Sequence, residues 1–281
     1  LADKPALYFE DKVISYKQLD LFINKVGNFM SSLGLSKGDK CALLLRNCPE
    51  YLYAWFGLAK IGCVAACVNI SLRGDSLKYL IAHSDSTTII LNSDLCEHFE
   101  EIENSLPKLE HVIWLPEAPP HRKHDYSFNN ILSDASDASP LNGDIIKGDP
   151  MALVHTGGTT GLPKWCTLSH NHYIENAELY AEFFGLSPSD RLFNPLPLFH
   201  TNPQVIFVMN GLAANASLIL TDQFSASAFW DQVRKYKATC LILHIGAVDI
   251  LKQRPVAPGE TDHNVRIGFR IDAAFMKRFN I

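Results

Sequence analysis

The chain has 281 residues, 47% hydrophobic and 20% charged, the profile of a globular protein that buries a substantial core in one large domain or two smaller ones. Its net charge of −5 gives no basic field to attract nucleic acid, and no polybasic run suits an anionic membrane surface. Seven cysteines at 41, 48, 63, 67, 96, 166 and 240 contain no CxxC pair, so the chain reads as reduced and cytoplasmic, and a zinc site is not expected. The opening LADKPALYFEDKV has neither the basic nor the apolar region of a signal peptide. With no initiator Met, the sequence reads as starting inside a longer chain.

In chain order, the first clear element starts at Tyr16. Leu19, Phe22, Ile23, Val26, Phe29, Met30 and Leu33 recur at steps of three and four, which predicts one apolar helical face. Ser15 and Gln18 match a capping box at its start, and Gly34 suits a left-handed end. CALLL (41–45) is an apolar run of strand length, and a helix follows Pro49. The stretch 51–70 is long enough to span a membrane, but Lys60 and Gly62 interrupt it. Helix, glycine break and the buried strand VAACV (64–68) is the better reading, and it leaves room for peripheral membrane contact. A helix from about Gly74 to Ala82 leads to the strand TTIIL (87–91). Nearly continuous apolar strands alternating with helices mark a parallel sheet covered on both faces.

Residues 116–150, rich in Pro, Ser and Asp, predict a surface connection with at most one short helix. It would join a first α/β lobe, 1–115, to a second, 151–281. The second lobe predicts strands at MALVH (151–155), RLFN, SLILT (217–221), CLIL (240–243) and VRIGF (265–269). Helices are expected at 170–184, near 204–214 and around FWDQVRKY. The fold class is α/β, with two related layers.

Between MALVH and a helix expected near Ser169 runs VHTGGTTGLPKWC (154–166). Glycine-rich turns let backbone N–H groups converge on anionic oxygens, and threonine hydroxyls add donors or bind a cation carried by phosphates. Lys164 supplies a mobile charge for the far end of a triphosphate, and Pro163 stiffens the turn. A Walker A loop is excluded: three residues, not four, separate Gly157 from Gly161, and Lys164 follows proline rather than glycine. GxGxxG is also absent. The phosphate reading requires the loop to lie between a parallel strand and a helix; a β-hairpin there, or packing beneath the core, would lose the phosphate assignment.

TGGTTGLPK resembles the phosphate loop of the adenylate-forming superfamily, which holds acyl-CoA synthetases, peptide-synthetase adenylation domains and luciferases. DPMALVH before it, TLSHNH after it and PLPLFH (195–200) stand where that family has counterparts, and 224–255 is most similar to the fatty-acid-transport and carnitine/crotonobetaine-CoA ligase branches. The resemblance implies two stacked, mostly parallel sheets with helices on their faces. It implies that Thr156, Gly157, Gly158, Thr159, Thr160, Gly161 and Lys164 bind ATP, that Thr156 reaches Mg2+, and that Lys164 and His200 serve the reaction. Two positions depart from the pattern: Gly157 stands where the family often has Ser or Thr, and Trp165 where it usually has Gly. The Tyr-Gly-x-Thr-Glu motif, the ribose-binding Asp and the small C-terminal domain with its catalytic Lys are not in the chain, which resembles the first half of such an enzyme. Alone, it is expected to adenylate poorly.

By residue type alone His200 reads as a satisfied buried histidine; the resemblance places it at the acyl pocket. His244 and Gly246 are either a strand end with a helix-starting glycine or a wall of the acyl pocket. His170 and His172, at i and i+2, do not share a helical face and do not suggest a metal site. Asp222, Asp231 and Asp249 read as solvated charges. The resemblance implies an ATP-dependent acid–thiol ligase that activates a small-molecule carboxylic acid, fatty or related, and passes it to coenzyme A. The alternative is a non-catalytic nucleotide- or acyl-binding remnant.

Overall fold

The computed structural model describes residues 1–141, 144–157 and 162–281. The chain opens with a hairpin, β1 (Pro5–Phe9) and β2 (Lys12–Ser15), whose turn places Glu10 at φ 52°. Helix α1 (Tyr16–Ser32) follows with its capping box formed: the Ser15 N–H donates to Gln18 Oε1 at 2.9 Å, and the Gln18 N–H to Ser15 Oγ at 3.2 Å. Gly34 ends it at φ +90°, as expected. Next come β3 (Lys40–Leu44), α2 (Pro49–Lys60), β4 (Val64–Cys67), α3 (Gly74–Ser84), β5 (Thr88–Asn92), α4 (Cys96–Glu103) and β6 (His111–Leu115). The stretch 116–150 holds β7 (Tyr126–Ser127) and the one short helix expected there, α5 (Phe128–Asp134). Beyond it lie β8 (Pro150–His155), β9 (Trp165–Ser169), α6 (His170–Phe183) and β10 (Arg191–Asn194). The apolar segment near 204–214 begins as a π-helix, Pro203–Met209, and continues as α7 (Asn210–Ala213). β11 (Ser217–Leu220), α8 (Phe229–Lys235), β12 (Cys240–Ile242), α9 (Ile245–Gln253), β13 (Ile267–Phe269) and α10 (Ala273–Phe279) complete the chain.

The strands form two sheets, one ordered β13-β12-β10-β11-β1-β2 and the other β7-β6-β5-β3-β4-β8-β9. Every pairing is parallel except β1 with β2 and β8 with β9, each at an edge of its sheet. The α/β class and mostly parallel strands therefore agree with the sequence. The division of the chain does not. One compact unit comprises Leu1–Leu19, Asn47–Pro49 and Tyr173–Ile281, and the other Asp20–Arg46 and Glu50–His172. The lobes expected at 1–115 and 151–281 are thus interleaved, because β8 and β9 hydrogen-bond beside β4 and β1 pairs with β11. Nor is 116–150 only a connection, since β7 extends the second unit's sheet.

The second unit's core includes Leu44, Ile89, Leu91, Phe99 and Trp114. α1 and α2 approach closely at Gly57, where a Cβ would sit 2.9 Å from Val26 Cβ and 3.0 Å from the Ile23 carbonyl oxygen. The predicted helix, glycine break and strand over 51–70 is what forms, with Gly62 at φ +75°. No helix among the described residues is long and apolar enough to cross a membrane.

In the first unit, the entrances to three parallel strands are tied by Asp190, whose side chain is 3% exposed. Arg266 donates to it from Nε at 2.9 Å and Nη2 at 2.7 Å, Thr239 Oγ1 at 2.7 Å, and the Ser187 N–H at 2.8 Å. Burial pushes this carboxyl up, but the donors from Arg266, Thr239 and Ser187 outweigh it and hold the pKa at about 2. An unfolded aspartate titrates near 3.9, so the stabilisation is complete above about pH 4 and is lost as pH falls toward 2. Replacing Asp190 by Asn should lower stability by about 1.5–3 kcal/mol at pH 7, the range for charged hydrogen bonds. Urea unfolding measured across pH should show that gap closing below about pH 4.

Candidate functional site

The glycine-threonine loop does not run from a strand into a helix. It closes a β-hairpin, since β8 pairs antiparallel with β9 and α6 begins only after β9 ends. The expected strand-to-helix placement is therefore wrong, and the phosphate assignment drawn from that placement is lost with it. The missed strand, WCTLS, has exposed residues at Cys166 and Thr167 and no apolar alternation, because it is a sheet edge with one partner. What remains for phosphate binding is the loop's chemistry and its exposure. Thr156, Gly157, Leu162 and Lys164 are exposed, so these described residues are not packed beneath the core. Gly158, Thr159, Thr160 and Gly161 lie outside the described residues.

Both ends of the loop are fixed. The Thr156 N–H donates to the Lys164 carbonyl at 2.9 Å, and the Lys164 N–H lies 3.4 Å from Thr156 Oγ1. The second contact is long, which leaves the exposed Thr156 hydroxyl able to turn toward a ligand. A Cβ on Gly157 would meet nothing within 4 Å, so packing does not demand glycine at this position. Trp165, opposite His155 at the hairpin base, donates from Nε1 to the Leu80 carbonyl at 3.1 Å and packs against two core clusters of this unit. It anchors the loop's exit where the resembled family has glycine. Burial lowers the His155 pKa, which favours a neutral ring beneath the loop.

His170 and His172 lie in the first turn of α6. The His170 N–H donates to the Asp149 carbonyl at 3.1 Å and the His172 N–H to Ser169 Oγ at 3.2 Å. Burial lowers the His170 pKa.

His200, His244 and Gly246 belong to the first unit. His200 is exposed, which excludes the buried-histidine reading. Its turn is held from beneath by three buried amide side chains. Asn47 donates from Nδ2 to the Leu196 carbonyl at 2.9 Å and to the Thr221 carbonyl at 3.0 Å, and it accepts the Leu198 N–H at 2.8 Å. Asn194 donates to the Leu196 carbonyl at 2.8 Å, and Gln204 to the Leu198 carbonyl at 2.8 Å. Tyr173 donates its hydroxyl to Gln204 at 2.6 Å. Sequence reading missed this brace. Its only trace was a set of amides in otherwise apolar surroundings. His244 is the N-cap of α9, its Nδ1 accepting the Gly246 N–H at 3.1 Å, which matches the strand-end reading. Its ring is exposed.

The chain belongs to the AMP-binding enzyme family, which it matches over residues 1–266. It is 32% identical over 272 residues to a crotonobetaine/carnitine–CoA ligase of Salmonella agona (strain SL483), covering 94% of this chain and 52% of the relative. The chain thus spans about half the length of the curated relatives it matches. Among solved structures, an anthranilate CoA ligase in complex with anthranoyl-AMP superposes with a TM-score of 0.83 at 24% identity, over 95% of this chain and 52% of that one. A benzoate CoA ligase from Burkholderia xenovorans gives 0.87 at 18% identity, over 99% and 55%. These two show that the fold is shared.

The Trp165 anchor is testable. Trp165→Ala removes a partly buried ring and one hydrogen bond, and should cost about 1–3 kcal/mol. Amide exchange should rise most at residues 165–169, while β3 and β5 stay protected.

Proposed function

We propose that the protein is an ATP-dependent acid–thiol ligase in which the 156–164 hairpin loop holds the nucleotide phosphates. The observation that carries this is the family match over residues 1–266 together with a TGGTTGLPK loop whose two ends are fixed and whose Thr156, Gly157, Leu162 and Lys164 are exposed. A carboxylate attacks the α-phosphorus of ATP in line, forming an acyl-adenylate as pyrophosphate leaves. The thiol of coenzyme A then attacks the acyl carbonyl, AMP leaves, and the thiol proton passes to solvent. The crotonobetaine/carnitine–CoA ligase relatives support a carboxylic acid as the substrate, and we read it as a small acid of fatty or related type.

Within this reading the backbone N–H groups and hydroxyls of Gly157, Gly158, Thr159, Thr160 and Gly161 bind phosphate oxygens. The exposed Thr156 hydroxyl fits a role as a ligand of Mg2+, because its existing contact is long and easily exchanged. When bound, Mg2+ neutralises charge on the phosphates. Lys164 follows the β- and γ-phosphates and favours departure of pyrophosphate. His200, exposed on its braced turn, shapes the acyl pocket, and His244 with Gly246 contributes to its wall. A cytoplasmic site fits a chain whose cysteines are all free.

Lys164→Met in the complete protein keeps the stem while removing the charge. Losing a charged partner costs about 1.5–3 kcal/mol, so acyl-adenylate formation should slow about ten- to a hundredfold, in kcat as well as kcat/KM. Single-turnover adenylate formation checks this, with thermal melting to verify the fold. An unchanged rate would remove Lys164 from the mechanism.

A further inference from the structure

Away from the loop, α4 presents Cys96 and Glu100 one turn apart, at the i and i+4 spacing that puts both on one helical face. The chain leaving β6 brings His121 onto the same spot. His121 Nε2 lies 2.7 Å from Glu100 Oε1 and 3.9 Å from Cys96 Sγ, and the three donor atoms all lie within 4.8 Å of one another. We propose that Cys96, Glu100 and His121 bind a thiophilic divalent cation of the Zn2+ type, clamping the 117–125 segment to α4.

The donor set carries the assignment. Thiolate sulfur, imidazole nitrogen and carboxylate oxygen are the three ligand types of zinc, with bonds of about 2.0–2.3 Å that put tetrahedral donors about 3–4 Å apart. The observed 3.9 Å spacing falls within that range and the 2.7 Å spacing just below it, so small side-chain rotations close the site around an ion. Three protein ligands leave one position for water. The thiolate disfavours Mg2+ and Ca2+, which separates this site from the cation proposed for the nucleotide phosphates. On binding, the Cys96 sulfur–metal bond forms as the thiol proton leaves to solvent.

The frame for the site exists without the ion. Arg122, next to His121, grips Glu103 with both terminal nitrogens at 2.6 and 2.5 Å and Asp125 from Nε at 2.6 Å. Trp114 also donates to Asp125, at 2.8 Å. The segment is therefore held against α4 one turn beyond Glu100, and the Arg122 charge is met by two other carboxylates. Without a cation, His121 and Glu100 form only an exposed ion pair, which contributes little. The cysteine spacing in the sequence did not announce this site, because its three donors come from two elements and only one is a cysteine.

Titration of the metal-free 281-residue chain with Zn2+ and with Co2+ tests the proposal. One equivalent should bind, Co2+ should give thiolate-to-metal charge-transfer absorption, and Zn2+ should raise the melting midpoint. Cys96→Ser and His121→Ala change partly exposed positions and should melt like the parent without metal. Each should abolish the absorption or weaken binding by more than about a hundredfold, since losing even a hydrogen-bond partner of a ligand costs about 10–100-fold. The other cysteines are buried except Cys166, and Cys166→Ser should leave the absorption intact. A Co2+ spectrum lacking thiolate character, or parental affinity in both Cys96→Ser and His121→Ala, would overturn the proposal.

Discussion

Val154 pairs with Cys67 on one side and Cys166 on the other, and this two-sided pairing of β8 is the constraint on which the site depends. On the Cys67 side β8 continues a parallel sheet buried by apolar side chains; on the Cys166 side it meets an exposed antiparallel edge. A parallel strand feeds its chain into a crossover, but an antiparallel one returns it at once. The loop therefore leaves a hairpin whose root is locked into the core, and Thr156, Gly157, Leu162 and Lys164 at its two ends are exposed. That arrangement suits a clamp. Fixed ends lower the entropy lost on gripping a ligand, while the exposed Thr156 and Lys164 can reach it.

The same economy appears in the other unit. Asn47, Asn194 and Gln204 fix the backbone of the turn before His200 by satisfying carbonyls that would otherwise be buried without donors. Further along the strands, Asp190 gathers Arg266, Thr239 and Ser187 at the opposite, entrance side of β10, β12 and β13. Much of the hydrogen bonding that fixes these strand ends and turns is thus gathered in networks beneath and behind the exposed residues.

Much of this fold could be read in the residues, and the failures have physical causes. Helix α1 was legible from Ser15 to Gly34 because capping chemistry and a 3.6-residue period coincide there. Buried strands such as β3, β4 and β11 announced themselves as apolar runs. The first hairpin did not, because Glu10 occupies its positive-φ position where a glycine or asparagine would have signalled the turn. Edge strand β9 lacked a periodic pattern, and that omission turned a hairpin into a presumed strand-to-helix loop. The π-helix at Pro203–Met209 is apolar on nearly every side, so periodicity could not separate it from an α-helix. The candidate site divides similarly: the loop's composition was visible, whereas the Asn47 brace and the Trp165 anchor depend on contacts distant in sequence.

The central claim is that residues 156–164 grip phosphate, and amide hydrogen exchange with and without Mg2+ and ATP tests it most directly. A phosphate clamp requires exchange to slow at the amides of 156–164 when nucleotide binds, with those of β8 little changed because they are already paired. Exchange in the loop that stays the same at saturating nucleotide, with protection appearing only elsewhere, would contradict it.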